Sequence, residues 1–287
     1  MDINLPLKKV TPVILAGGKG VRLWPLTGTQ RPKPFLRLFS KYTLLQRTLR
    51  RVETCAEPII VCAAQFVDKA KSNMEALAQG QGGIIAEPMP RSTAASIAMA
   101  ALCVGKDDLI LVMPSDHVIG NKEMFLQQLR GACTRAHEGA MIIFGARPKS
   151  NNTRYGYVLA EGFGKAEVKK VQHFVEKPEK PRAVQLRAAG NCFWNTGIFL
   201  CKAGVYLEKL ERHAPDIYES CVRAHKSGKQ EGNIFTPDRA AFERCPAIPV
   251  DVALMEKARN LSVTDIKTPW ADVGTWGSLS HAVTFKY

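Results

Sequence analysis

Residues 13–35 read VILAGGKGVRLWPLTGTQRPKPF. An apolar run through Leu15 and Ala16 passes into a turn holding Gly17, Gly18 and Gly20; Arg22 follows, and Lys33 stands between two prolines. Glycines let a backbone take positive φ and approach a ligand closely. Successive N–H groups in such a turn can point at one anion. A planar guanidinium and a mobile ammonium add full charge around it. This is chemistry suited to phosphate, although on the glycines alone a tight packing turn explains the stretch equally well. A Walker loop is excluded, because no Gly-x-x-x-x-Gly-Lys-Ser/Thr is present. A dinucleotide fingerprint is excluded because Leu23 stands where its third glycine belongs.

Two carboxylates far downstream suit the same chemistry. Asp116, in VMPSDHVI, follows an apolar run, at the sheet edge where open α/β folds bind ligands. Asp272, in PWADVGTWGSL, precedes a Val-Gly turn between Trp270 and Trp276. A hard divalent ion such as Mg²⁺ takes one or two carboxylates together with phosphate oxygens. Taken singly, each Asp is equally a turn or capping residue.

The elements that must position these groups alternate along the chain. TPVILAG, PIIVCAA, GGIIAEP, DLILVMPSD and AMIIFGAR are near-continuous apolar runs, as expected of strands buried on both faces. Helical patterns lie between them: Leu45, Leu49 and Val52 share one face, Phe125 and Leu129 another, and Ser92 stands as a cap for TAASIAMAALCV. The rhythm from about residue 10 to 147 predicts a Rossmann-like, doubly wound α/β sheet. Beyond 150, NNTRYGYVLAEG and KKVQHFVEKP predict a small inserted antiparallel sheet, and FWNTGIFLCKAG a further buried strand. With no linker or repeat, 1–287 reads as a single domain, its first half about 1–147 and its second half about 148–287.

Composition narrows the class. At 46% apolar and 23% charged residues, the chain is ordinary for a globular protein. No apolar stretch is long enough to span a bilayer and MDINLPLKKV lacks a signal-peptide core, so the expected location is cytoplasmic, without a membrane partner. Eight cysteines without Cys-x-x-Cys spacing predict small buried hydrophobes, not disulfides or zinc. A net charge of +14 points to anionic partners. The cations are dispersed and no recognition motif is present, so nucleic acid is not expected.

In order along the chain, LAGGKGVRLWPLT…PKPF, the Asp-His pair at 116–117 and WADVGTW resemble the sugar-nucleotide pyrophosphorylases; the Arg-Leu-Trp-Pro-Leu form resembles bacterial mannose-1-phosphate guanylyltransferases. The resemblance runs from residue 10 to about 282. It implies a nucleotidyltransferase fold of the glycosyltransferase A-like type. The reaction it implies joins GTP and mannose 1-phosphate into GDP-mannose and pyrophosphate with Mg²⁺. Another sugar 1-phosphate or nucleotide, or a homologue that binds without turnover, are the alternatives.

By that resemblance Leu15, Ala16, Gly17, Gly18, Gly20, Arg22, Arg91 and Asp116 contact the nucleotide. Arg22, Lys33, Asp116 and Lys177 are catalytic, and Asp116 and Asp272 hold the metal. TRYGYV, FVEKP, NTGIF and VDVALMEKA carry the sugar-phosphate side: Gly156, Glu176, Lys177, Asn195 and Asp251, with Glu256 nearby. Replacing either Asp116 or Asp272 is expected to abolish turnover and leave the fold intact. The chain departs from the family pattern at Val21, Pro90, Ser92 and Ala95, changes that bear on base selectivity. A homodimer is one expected assembly. Bifunctional relatives continue into a cupin-like isomerase domain, and others into a β-helical tail that would strengthen a dimer contact. This sequence has room for neither, so isomerase activity is not expected.

Overall fold

The structure, a computed structural model, describes residues 7–18, 20–28, 31–78, 80–162 and 167–283. The apolar runs of the first half are strands β1 (Val10–Leu15), β2 (Ile59–Ala63), β3 (Gly83–Glu87) and β4 (Leu109–Pro114), then a short β5 (His117–Ile119) and β6 (Met141–Ala146). The second half adds β7 (Tyr157–Ala160), β8 (Val168–Val175), β9 (Cys192–Lys202), β10 (Lys229–Glu231), β11 (Ile234–Thr236), β12 (Leu261–Asp265) and β13 (Trp270–Asp272). Between them run helices α1 (Leu44–Arg51), α2 (Val67–Glu75), α3 (Ser92–Leu102), α4 (Lys122–His137), α5 (Lys180–Ala188), α6 (Ala203–His213), α7 (Pro215–Lys226), α8 (Arg239–Glu243) and α9 (Trp276–Val283).

The strands form one mixed sheet in the order β10-β11-β3-β2-β1-β4-β9-β6-β12-β8-β7. Its centre is parallel, β3-β2-β1-β4, and β9 lies antiparallel between β4 and β6. The expected antiparallel pair is present as β7 and β8, but it is part of the main sheet, because β8 pairs with β12 and β7 pairs back onto β9. The sheet that stands apart is a two-stranded one, β5 with β13. β6 and β9 slip register at Gly145, where a Cβ would lie 2.6 Å from that of Phe193.

α1 begins with a capping box, Thr43 accepting from the Gln46 amide while the Gln46 side chain accepts from the Thr43 amide. The α3 sequence is apolar all round, and the helix is correspondingly buried along Ala94–Ala101 against α6 and α7. Ser92 does not cap α3 with its side chain: it takes a φ of 65°, and the first turn has no side-chain cap. Six of the eight cysteines are buried and all eight are free. Among the described residues, no helix is long and apolar enough to cross a membrane.

Candidate active site

β1 and β4 are neighbours, Leu15 opposite Pro114, so the turns that leave their C-terminal ends lie side by side. Ser115 donates its amide to the Leu15 carbonyl, which ties the two turns together. The Ala16 amide is engaged by the Val61 carbonyl at 2.8 Å, so the amides open to a ligand begin at Gly17. Positive φ occurs only at Gly20 of the three glycines (67°); Gly17 and Gly18 face open space without it, contrary to the expectation that all three turn left-handed. Gly20 carries the reversal because the chain packs there against Lys33 and Thr27 and then enters a 3₁₀ turn, Leu23 donating to the Gly20 carbonyl. Lys19, in the same turn, lies outside the described residues.

Lys33 is buried, 4% exposed, and its ammonium donates to Asp116 Oδ2. Burial pushes the Asp116 carboxyl up, but the charge and the hydrogen bond of Lys33 hold it below the usual carboxylate range. His117 is lowered, mainly by burial, so its ring is neutral at pH 7. Trp270 Nε1–H donates to His117 Nδ1 at 3.3 Å, which puts the imidazole proton on Nε2, the side of Asp116 Oδ1.

The second aspartate arrives through the small sheet. β13 pairs with β5 so that Asp272 stands directly opposite His117, the residue after Asp116. Directly opposed residues of an antiparallel pair have Cβ atoms about 5 Å apart. Arg22 reaches the same place: the point where a Cβ on Gly274 would sit is 3.0 Å from Asp272 Oδ2 and 3.8 Å from Arg22 Nη2. Tyr155 donates its hydroxyl to Asp272 Oδ1 at 2.7 Å. Each aspartate thus has one oxygen engaged, leaving Asp116 Oδ1 and Asp272 Oδ2 as hard oxygen donors. That donor set fits a divalent ion such as Mg²⁺. Among the described residues no three His, Cys, Asp or Glu side chains make a metal cage, so such an ion would complete its shell from water and ligand phosphate.

The sugar-side candidates converge on a cleft of about 220 Å³ shared with Leu15, His117 and Asp272. Gly156 lies against it, with a Cβ position 2.7 Å from Glu176 Oε2, so any side chain would displace that carboxylate. Glu176 accepts from Lys177 Nζ at 2.5 Å, and its amide donates to Glu256 Oε1 at 2.9 Å. Lys177 holds a φ of 43°, unusual for a non-glycine residue and of the kind stored at functional sites. Asn195 donates Nδ2–H to Asp251 Oδ1 at 2.7 Å and takes the Gly197 amide on its own Oδ1. These contacts place its side-chain oxygen and nitrogen without ambiguity.

Burial, reinforced by the charge of Glu176, pushes Asp251 up to about 6. Its folded pKa therefore exceeds its unfolded one, near 4. Between those values the folded state holds the extra proton, so stability contributed at low pH is lost as pH rises from about 4 to about 6. Asp251→Asn is expected to flatten that part of the profile. Unfolding midpoints at steps across this range check it, and parallel profiles for both proteins would count against it.

The structure thus brings Gly20, Arg22, Lys33, Asp116 and Asp272 to one end of the sheet and Gly156, Glu176, Lys177, Asn195 and Asp251 around the adjoining cleft. Arg91 stands apart: it does not line the cleft, and its guanidinium donates to the carbonyls of Phe242 and Glu243. Sequence reasoning missed Tyr155 and Trp270 as partners of Asp272 and His117. It also missed α1 as a support, through Thr48 donating to the Ser115 carbonyl and Arg51 to that of His117. No spacing signals these contacts, since each joins segments far apart in sequence.

Residues 11–286 match a family model described as nucleotidyl transferase. The alginate biosynthesis protein AlgA of Pseudomonas putida is 40% identical over 280 residues, covering 93% of this chain and 57% of that protein. A mannose-1-phosphate guanylyltransferase of Sinorhizobium fredii is 36% identical over 285 residues, 97% of this chain and 55% of its own length. The chain therefore spans little more than half the length of these curated relatives. A solved structure described as mannose-1-phosphate geranyltransferase from Thermus thermophilus superposes with a TM-score of 0.82 at 30% identity, covering 96% of this chain and 79% of that one.

Proposed function

The chain belongs to the nucleotidyl transferase family, and from that premise we propose that it transfers a guanylyl group from GTP to α-D-mannose 1-phosphate. The products are GDP-mannose and pyrophosphate, made in the cytoplasm. The observation that carries this reading is the pairing of Asp272 with His117, which sets a second carboxylate beside Asp116, Lys33 and Arg22. The choice of guanine and mannose draws on the name of the Sinorhizobium fredii relative.

In this reading a phosphate oxygen of mannose 1-phosphate attacks the α-phosphorus of GTP. The bond from that phosphorus to the bridging oxygen breaks, and pyrophosphate leaves with the electron pair. The attacking oxygen is already anionic, so no side chain has to remove a proton. What remains is positioning and charge stabilisation. The amides from Gly17 onward and Arg22 hold the triphosphate. Lys33, fixed by Asp116, presents buried positive charge to it. Lys177 exchanges its bond to Glu176 for the sugar phosphate, and Glu176, Asn195 and Asp251 receive sugar hydroxyls where Gly156 leaves room. Asp116 and Asp272 would hold Mg²⁺, which when bound supplies charge neutralisation to the phosphates.

Pyrophosphate release across a panel of nucleoside triphosphates and sugar 1-phosphates tests the reading. GTP with mannose 1-phosphate is expected to exceed other pairs by about tenfold or more, the low end of what one mismatched group costs in a specific site. Faster turnover of another pair would replace the substrates, and no turnover of any pair would leave a binding protein.

A further inference from the structure

The catalytic cleft is not the largest cavity. Behind Arg154, Tyr155 and Trp270, which line both, lies a second one of about 600 Å³. Its size is that of a small-molecule site. Four cations line it, Arg147, Lys149, Arg154 and Lys267, against one carboxylate, Asp265. That carboxylate is already engaged by Arg147 at 2.8 Å, and Lys149 and Arg154 enter no ion pair among the described residues. Lys267 is held at a φ of 42°, a conformation that L side chains rarely adopt. The lining also holds the half-buried Tyr155 ring, 5.0 Å from that of Trp194 and 5.4 Å from that of Trp270, both tryptophans being buried with only their margins exposed. Ser150, Thr268 and Ser278 also line it.

Excess positive charge beside the half-buried Tyr155 ring, with hydroxyls in the same lining, suits a pyranose ring that carries an anion. The ring's C–H face meets the exposed side of Tyr155, its hydroxyls meet the polar groups, and its charge meets Lys149 and Arg154. We propose that this cavity is a binding site for an anionic hexose, distinct from the catalytic cleft. The reaction described above uses none of Arg147, Lys149 and Lys267. The shared wall couples the two sites, because Tyr155 bonds to Asp272 and Trp270 to His117. An occupant that moves either ring moves a group beside the aspartates. By reciprocity, substrate in the cleft alters affinity in the second cavity.

Calorimetric titration of the intact chain with glucose 6-phosphate, glucuronate, neutral glucose and inorganic phosphate tests this. Lys149→Glu serves as the cavity variant and Lys177→Met as the cleft variant; Lys149 is exposed, so its replacement leaves the fold and basal activity unchanged. Saturable binding of glucose 6-phosphate or glucuronate is expected, at least tenfold weaker in Lys149→Glu and retained in Lys177→Met. Whichever of the two binds identifies the anion as phosphate or carboxylate. Binding by neither, equal binding of neutral glucose or bare phosphate, or a loss confined to Lys177→Met overturns the proposal. Mannose 1-phosphate is itself an anionic hexose, so it is titrated into Lys149→Glu, where the cleft alone reports: its failure to bind there, while the Lys149-dependent event persists in the parent, would remove the proposed reaction and leave this site standing.

Discussion

Asp272→Ala is expected to lower kcat for pyrophosphate release by roughly two to three orders of magnitude, the usual effect of removing an oriented charge from a transition-state site. Its stability should change little, because Asp272 is only partly buried and, among the described residues, the group hydrogen-bonded to its side chain is the neutral hydroxyl of Tyr155. Asp272→Asn keeps an acceptor for Tyr155 and removes only the charge, so it should lose nearly as much activity. Asp116→Ala should lose activity to a similar extent but behaves differently as a folded protein. It strands the buried Lys33 ammonium, and breaking a buried pair costs about 3–5 kcal/mol. The sequence alone led to the expectation that both variants keep the fold intact; the burial of Lys33 restricts that to Asp272. Initial rates and thermal unfolding of the three variants separate the two effects. Near-normal kcat in both alanine variants would take the aspartates out of the chemistry, and an unchanged melting point for Asp116→Ala would show that Lys33 does not depend on it.

The contrast explains what the sequence could and could not convey. The apolar runs ending at Leu15 and Pro114 were legible because strands buried on both faces carry an unbroken hydrophobic signature, and both lie where expected. Gly156 was legible through its motif, and the structure supplies the reason, the nearness of Glu176 Oε2. Pairing between distant segments was not legible. β13 is three residues long, too short for a periodicity, and its register against β5 is fixed by packing around Val118, Ala271 and Val273 in a small core of its own. Burial of Lys33 was likewise unreadable, since lysine is rarely buried and only the partner across the fold allows it. The incorporation of β7 and β8 into the main sheet escaped for a related reason: an antiparallel pair looks the same in sequence whether it stands alone or joins a larger sheet.

Gly20→Ala should be the most damaging single change in the phosphate turn. An alanine there must hold a φ near 67°, which costs about 1 kcal/mol or more away from glycine. Its methyl would lie 2.8 Å from Lys33 Cβ and 2.9 Å from Thr27 Cγ2, closer than real contacts allow. Neither neighbour yields easily, because Thr27 is tied to the Gly20 carbonyl at 2.7 Å and Lys33 to Asp116. The strain therefore falls on the charge that faces the triphosphate, and displacement of a catalytic group by about 1 Å is worth up to a hundredfold in rate. Gly18→Ala is the control, with no atom within 4 Å of its Cβ position and no positive φ. It should melt like the parent, so any activity it loses reports close approach of the ligand backbone-side and not damage to the turn. Melting curves and kcat for the two variants decide the matter. A Gly20→Ala protein with parental stability and rate would mean that the turn is a passive connection and that Lys33 is placed by something else.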